Sequence, residues 1–292
     1  MLMNGNSHWS TDGTFRVAPP PYSQLFVIGV QNGHLFVPTV FALLKSKRVE
    51  AYKEIFDAVV SMGVITPPSD ILMDFERAIS TAASRAFPGI HVKRCLFHLA
   101  QTIWRLVQSN GLVNDYKNPA VKTTIRSLAA LAFLDVADIA IYYTALSADS
   151  AATTPQCAPV LDTFGRNYVG IDTTGNVHIP IYPVEEWSVR SRILASLHAS
   201  NSAQESFNAS LKGIPAKCAV GRLEEALLEV ANFWEDERAK ATQANLLLQQ
   251  YRKQGNKRRS DEERRRMALA NGSMDRPILD HLKSLSMYVK MD

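Results

Sequence analysis

The sequence predicts an α/β fold: a mixed sheet of three antiparallel strands followed by two βα units, interrupted by an all-α insertion and closed by a helical, basic C-terminal tail. Three observations carry this. Apolar and β-branched runs alternate with turn signals through the first 45 residues. From residue 49 onward, helical spacing and short apolar runs take turns. From residue 119 the pattern becomes alanine-rich and helical without interleaved strands.

The first extended segment spans His8 to Val17 and is ended by Pro19, Pro20 and Pro21. Gln24 to Val30 (QLFVIGV) is dense in large apolar residues, as a buried strand requires. Asn32-Gly33 has the composition of a tight hairpin turn, and Leu35 to Leu44 resumes as a third strand. Val49 to Met62 sets Tyr52, Ile55, Phe56 and Val59 on one helical face, with Gly63 as a stop. Ile71 to Met73 is a short fourth strand ending at Asp74, and Phe75 to Ala86 a helix closed by Pro88-Gly89. Val92 to Phe97 is the expected fifth strand, and Leu99 to Val107 the helix after it. Few folds share the order β-β-β-α-β-α-β-α, and the RNase H-like fold is the leading one.

Beyond it, Pro119 to Leu146 is expected to be helical and Ala148 to Pro159 a polar linker. Leu161 to Val169 follows as a helix and Val177 to Tyr182 as a short extended piece. Ser202 to Leu211 forms another helix, and a longer one runs from Arg222 towards Tyr251. The expected organisation is residues 1–115 as the first part of the core and 116–197 as a helical insertion. Residues 198–215 return to the core, and 216–292 hold C-terminal helices and the basic tail.

With 46% hydrophobic and 21% charged residues the chain can bury a core. Its net charge of +4 suits a polyanionic partner without demanding one. Between Arg252 and Arg266, eight Lys/Arg face three acids; the segment reads either as a solvated tail or as a phosphate-contacting one. Cys95, Cys157 and Cys218 are too scattered for a disulfide framework. No stretch approaches the roughly 20 apolar residues that span a bilayer. A soluble intracellular protein with no membrane partner is expected.

Three acids can carry chemistry. Asp12 in Thr11-Asp12-Gly13-Thr14 reads as a turn or as a metal ligand on the first strand. Asp74 reads as a helix cap or as a ligand at the carboxyl end of the fourth strand. Glu205 taken alone reads as a solvated helix residue. Together they suit two-metal phosphoryl transfer, which needs several hard oxygen ligands around ions about 4 Å apart. The long gap between residues 74 and 205 requires an inserted domain. Cys95 and His98 form a Cys-x-x-His pair, but a structural zinc wants four ligands and no second pair is visible.

The chain resembles the Mutator-like element transposases from about Trp9 to Leu211. The resembling stretches are Trp9 to Pro19, Gln24 to Ile28, Val37-Pro38 with Ala42-Leu43-Leu44, Asp74-Phe75-Glu76-Arg77-Ala78, and Cys95-Leu96-Phe97-His98-Leu99-Ala100-Gln101. The resemblance implies a DDE-type DNA transposase core performing strand cleavage and strand transfer with Mg²⁺ or Mn²⁺. It implies Asp12, Asp74 and Glu205 as catalytic metal ligands, with Cys95 and His98 as further catalytic candidates at the end of the fifth strand beside them, His98 to contact the scissile phosphate or orient a carboxylate. Further expectations are DNA (element ends and target) as partner, a possible homodimer and a nuclear location. Glu205 rests on the following Ser206-Phe207-Asn208 and the preceding Tyr182-Pro183 and Trp187, because Ala199-Ser200-Asn201-Ser202 stands where the family usually shows Thr-Asn-Asn; Glu185 and Glu186 are the alternatives. The family usually carries an N-terminal DNA-binding module, and none fits before Trp9. A catalytically silent, domesticated or truncated derivative acting as a DNA-associated regulator is therefore the alternative expectation.

Overall fold

A computed structural model describes residues 3, 7–32, 35–63, 67–195, 197–211, 214, 219–233, 236, 277–289 and 291. The chain divides into two compact units, one built from Met1–Val92 and Ser200–Gly255, the other from Lys93–Ala199 and Asn256–Asp292. No helix among the described residues is long and apolar enough to cross a membrane.

The first unit holds a mixed sheet. Its strands are β1 (His8–Thr14), β2 (Gln24–Asn32), β3 (Leu35–Leu44), β4 (Asp70–Met73) and β5 (His91–Arg94), in the order β3-β2-β1-β4-β5; the chain passes into the second unit within β5. β1 and β2 pair antiparallel, as do β2 and β3, whereas β1 and β4 pair parallel with His8 opposite Asp70 and Ser10 opposite Leu72. The expected meander is therefore present. Residue 33 of the expected turn lies outside the described residues.

Alternation along β2 gives the sheet two apolar faces. Phe26, Ile28 and Val30 face one core with Trp9, Ile71 and Met73, covered by Tyr52, Phe56 and Val59 of α1 (Val49–Ser61) and Ile79 and Ala82 of α2 (Arg77–Ala86). Leu25 and Val27 face the other, covered by Phe207 of α9 (Ser202–Ser210), by Leu211, and by Leu223 and Leu227 of α10 (220–233). Pro38 is accommodated where the β2–β3 register slips between Ile28 and Gly29. A side chain at Gly29 has no room: a Cβ there would lie 2.1 Å from the Phe36 ring and 2.8 Å from the Val37 carbonyl oxygen.

Two boundaries differ from expectation. α2 begins at Arg77 rather than Phe75, because the Asp74 carboxylate accepts the Glu76 N–H (2.9 Å) and holds the chain in a turn before the helix. β5 ends at Arg94, and α3 spans Leu96–Ser109 rather than starting at Leu99. Leu99, Ala100, Ile103 and Val107 are its buried stripe, and that spacing continues back through Leu96. Cys95 is thus the residue preceding a helix, and His98 lies in that helix's first turn rather than at a strand end.

The second unit is helical. α4 (Pro119–Ala130) and α5 (Val136–Thr153) are separate helices, because Asp135 turns extended and caps α5 by accepting the Ala137 N–H. The stretch expected as a linker is helical through Thr153 and again in α6 (Ala158–Phe164). The Ser150 and Thr124 hydroxyls both bond Thr154 there, so these small polar residues are buried with partners. Val177–Tyr182 contributes only an isolated bridge between Ile171 and Val177. α7 (Val184–Trp187) and α8 (Arg190–Leu194) follow, and α11 (Ile278–Ser286) packs on α4 and α5, with a buried Tyr142–His281 bond of 2.9 Å. The expected helix from Arg222 is present over 220–233; its continuation towards Tyr251 and the Arg252–Arg266 segment lie outside the described residues.

Replacing Gly29 by alanine must displace the Phe36 ring and the β3 backbone. Chemical denaturation should show a loss of about 1–3 kcal/mol; an unchanged midpoint would contradict this packing.

A carboxylate cluster at the end of the sheet

Strand order decides which acids meet. β1 and β4 are adjacent and parallel, so their carboxyl ends lie at the same edge of the sheet. Asp12 stands near the end of β1, and Asp74 directly follows β4. Continuing the parallel pairing two positions beyond Ser10–Leu72 would bring Asp12 level with Asp74. A parallel pair needs a crossover connection, here β2, β3 and α1, which explains why two acids 62 positions apart (74 − 12) end at one edge.

The third acid arrives on α9. Three amide side chains of this helix and its N-cap reach into the sheet: Asn201 Nδ2, at the N-cap, donates to the Thr11 carbonyl (3.2 Å), Gln204 Nε2 to the Val27 carbonyl (3.0 Å) and Asn208 Nδ2 to Asp12 Oδ2 (2.7 Å). Positions i, i+3 and i+7 share one helical face, and Glu205 lies on the same side between them. Beside them Phe207 packs against the Phe36 and Phe41 rings at centroid distances of 6.0 Å.

The electrostatics follow from this crowding. Burial, first of all, pushes the Asp12 carboxyl up to about 7, and the charges of Asp74 and Glu205 push the same way. Hydrogen bonds from the Gly13 N–H (2.9 Å, to Oδ1) and from Asn208 oppose the rise without cancelling it. Burial also raises the Glu205 carboxyl. Three carboxylates thus share one edge at an electrostatic cost, and a divalent cation among them offsets that cost directly. The donor set, all hard oxygens, fits Mg²⁺ or Mn²⁺.

A second layer supports the two aspartates. Asp74 Oδ1 accepts the Glu76 N–H, and the Glu76 carboxylate accepts from Tyr52 (2.7 Å) and from Lys47 (3.0 Å). The Tyr52 hydroxyl in turn accepts from Gln24 Nε2 (2.7 Å). Gln24 Oε1 lies 2.6 Å from where a Cβ on Gly13 would stand, so glycine after Asp12 leaves room for this chain of bonds. Burial holds the Tyr52 hydroxyl far above its usual range, which keeps it a donor to Glu76 at neutral pH.

The remaining candidates belong to the second unit. Cys95 is fully buried just before α3, and the His98 carbonyl accepts from the Thr102 hydroxyl (2.9 Å). Glu186 is engaged by the buried Arg94 (2.9 Å), and the Glu185 carbonyl accepts from Lys93 (2.8 Å). A carboxylate that neutralises a buried guanidinium has a structural occupation already. Asn201, Gln204 and Asn208 were not singled out as site residues in the sequence, although their shared helical face was there to be read.

Residues 8–102 match the model of a family described as the MULE transposase domain. The match runs from β1 into α3, so Asp12 and Asp74 fall inside it and Glu205 outside. No curated protein matches the chain.

The Asp12 shift sets a pH dependence. An unfolded aspartate titrates near 3.8 and the folded one near 7, so between these values the folded state holds a proton that the unfolded state has lost. Stability from this group is fully present below the lower value, falls as pH rises through the window and levels off above it. The loss is on the order of 4 kcal/mol for a shift of this size. Asp12→Asn should flatten that fall, measured as melting temperature from pH 4 to 8 in a chelator. A wild-type profile that rises through the window would rule the assignment out.

Proposed function

We propose that this chain, which carries a MULE transposase domain over residues 8–102, is a transposase core that cleaves and transfers DNA strands with Asp12, Asp74 and Glu205 as the ligands of divalent cations. The single observation that supports this most is the convergence of three half-buried carboxylates at the carboxyl end of parallel β1 and β4, where burial and the charges of Asp74 and Glu205 raise Asp12. The fold is read more finely as RNase H-like, with residues 116–197 as its insertion. Mg²⁺ or Mn²⁺ held there would supply activation of the attacking hydroxyl and stabilisation of the leaving 3′ oxygen.

The chain's own residues have distinct tasks. Asp12, deprotonated above pH 7, is held in one rotamer by Asn208 and the Gly13 N–H. Glu76, Tyr52 and Gln24 fix the backbone on which both aspartates sit. Asn201 and Gln204 bind α9 to the sheet and so set the height of Glu205. DNA is the partner that a transposase domain implies, and the net charge of +4 favours it. A nuclear location and a homodimer belong to the same reading.

Incubation of the full chain with linear double-stranded DNA and Mg²⁺ should give nicked or joined products, abolished by chelator. Asp12→Asn and Asp74→Asn should each slow this on the order of a thousandfold, the rate equivalent of several kcal/mol, with the circular-dichroism spectrum unchanged. Salt-sensitive DNA binding with no cleavage by the wild-type chain would instead favour a silent, DNA-associated derivative. Binding itself should weaken steeply with salt, its log–log slope near −0.9 for each phosphate neutralised; a salt-independent affinity would count against charge-driven DNA contact.

A further inference from the structure

The three amides of α9 are not equivalent. Asn201 and Gln204 donate to main-chain carbonyls of β1 and β2, whereas Asn208 donates to a carboxylate, Asp12 Oδ2, at 2.7 Å. Its position three residues after Glu205 places it on the same face of α9 and one turn further along. An amide has two ends. With Nδ2 committed to Asp12, Oδ1 is left as an acceptor, and it is buried from solvent with no hydrogen-bond partner among the described residues. Burying a carbonyl oxygen without a donor costs about 1–3 kcal/mol. A valine or leucine would fill the same space without that penalty, so packing alone does not account for an amide here.

We propose that Asn208 is a fourth oxygen donor of the carboxylate site, its Nδ2 tethering Asp12 and its Oδ1 serving a divalent cation. This rests on the reading of Asp12, Asp74 and Glu205 as metal ligands. Amide carbonyls are ordinary ligands of hard cations. A neutral donor also suits this edge of the sheet better than a further acid would. Three carboxylates already repel one another there, and an amide adds an oxygen without adding negative charge. The tether has a second consequence. Because one side chain both holds Asp12 and presents Oδ1, the separation of those two oxygens is set by the width of a single planar amide rather than by the packing of α9 on the sheet.

The test uses the full chain and Mn²⁺ alone, with binding read by electron paramagnetic resonance or calorimetry in the absence of DNA. Asn208→Leu keeps the branched shape and removes both the oxygen and the tether; Asn208→Asp restores an oxygen at the same reach without the tether. Mn²⁺ affinity should fall by about tenfold or more in Asn208→Leu and return to within a few-fold of wild type in Asn208→Asp. Circular dichroism should stay native in both. Rescue by aspartate separates a ligand from a spacer, since a purely structural amide would not be replaced by a charged group beside Asp12. Wild-type affinity in a folded Asn208→Leu protein, or equal loss in both variants, would overturn the proposal. Undiminished Mn²⁺ binding in Asp12→Asn and Asp74→Asn would sink the carboxylate site itself, and the role of Asn208 with it.

Discussion

Like charges held together at the edge of a sheet are the constraint around which the first unit is arranged. Burial raises the Asp12 carboxyl to about 7, and the charges of Asp74 and Glu205 add to the rise. Such a cluster persists only if packing elsewhere holds it. The holding forces are identifiable: one apolar core beneath α1 and α2, another beneath α9 and α10, and three amide tethers from α9 into the strands. Each tether satisfies an acceptor at or beside the strands that line the site, so the helix carrying Glu205 is registered against β1 by hydrogen bonds as well as by Phe207.

The layering around Asp12 and Asp74 follows the same logic at longer range. Buried Tyr52 joins Gln24, which packs under Gly13, to Glu76, which follows Asp74 by two residues. One side chain from α1 therefore connects the backbone near both aspartates. Lys47 completes the chain by neutralising Glu76, which keeps that carboxylate from adding to the repulsion at the sheet edge. The MULE transposase domain match covers all of these residues, so family and geometry concern the same part of the chain.

Much of the sheet was legible in the sequence because strands advertise themselves by alternation. Phe26, Ile28 and Val30 on one face and Leu25 and Val27 on the other are what a two-sided strand requires. Helix boundaries were less legible where two signals overlapped. The run Val92 to Phe97 contains both the end of a short strand and the start of an amphipathic helix, and the helix won because Leu99, Ala100, Ile103 and Val107 extend its stripe. Likewise the small polar residues after Ala148 read as a linker, yet the Ser150 hydroxyl bonds Thr154 and α5 continues to Thr153.

By itself the sequence determined the local periods and the strand order along the chain, and it singled out three acids as candidates. Those depend on neighbouring residues, whose spacing is visible in one dimension. Tertiary structure alone decided that β1 and β4 pair in parallel, so that Asp12 and Asp74 come to the same edge of the sheet, and that Glu205 returns to them after a whole helical unit has intervened. It also gave Asn201, Gln204 and Asn208 their acceptors. A lone amide on a helix carries no signal of what it will bond, because its partner is fixed by how the helix packs and not by the residues beside it.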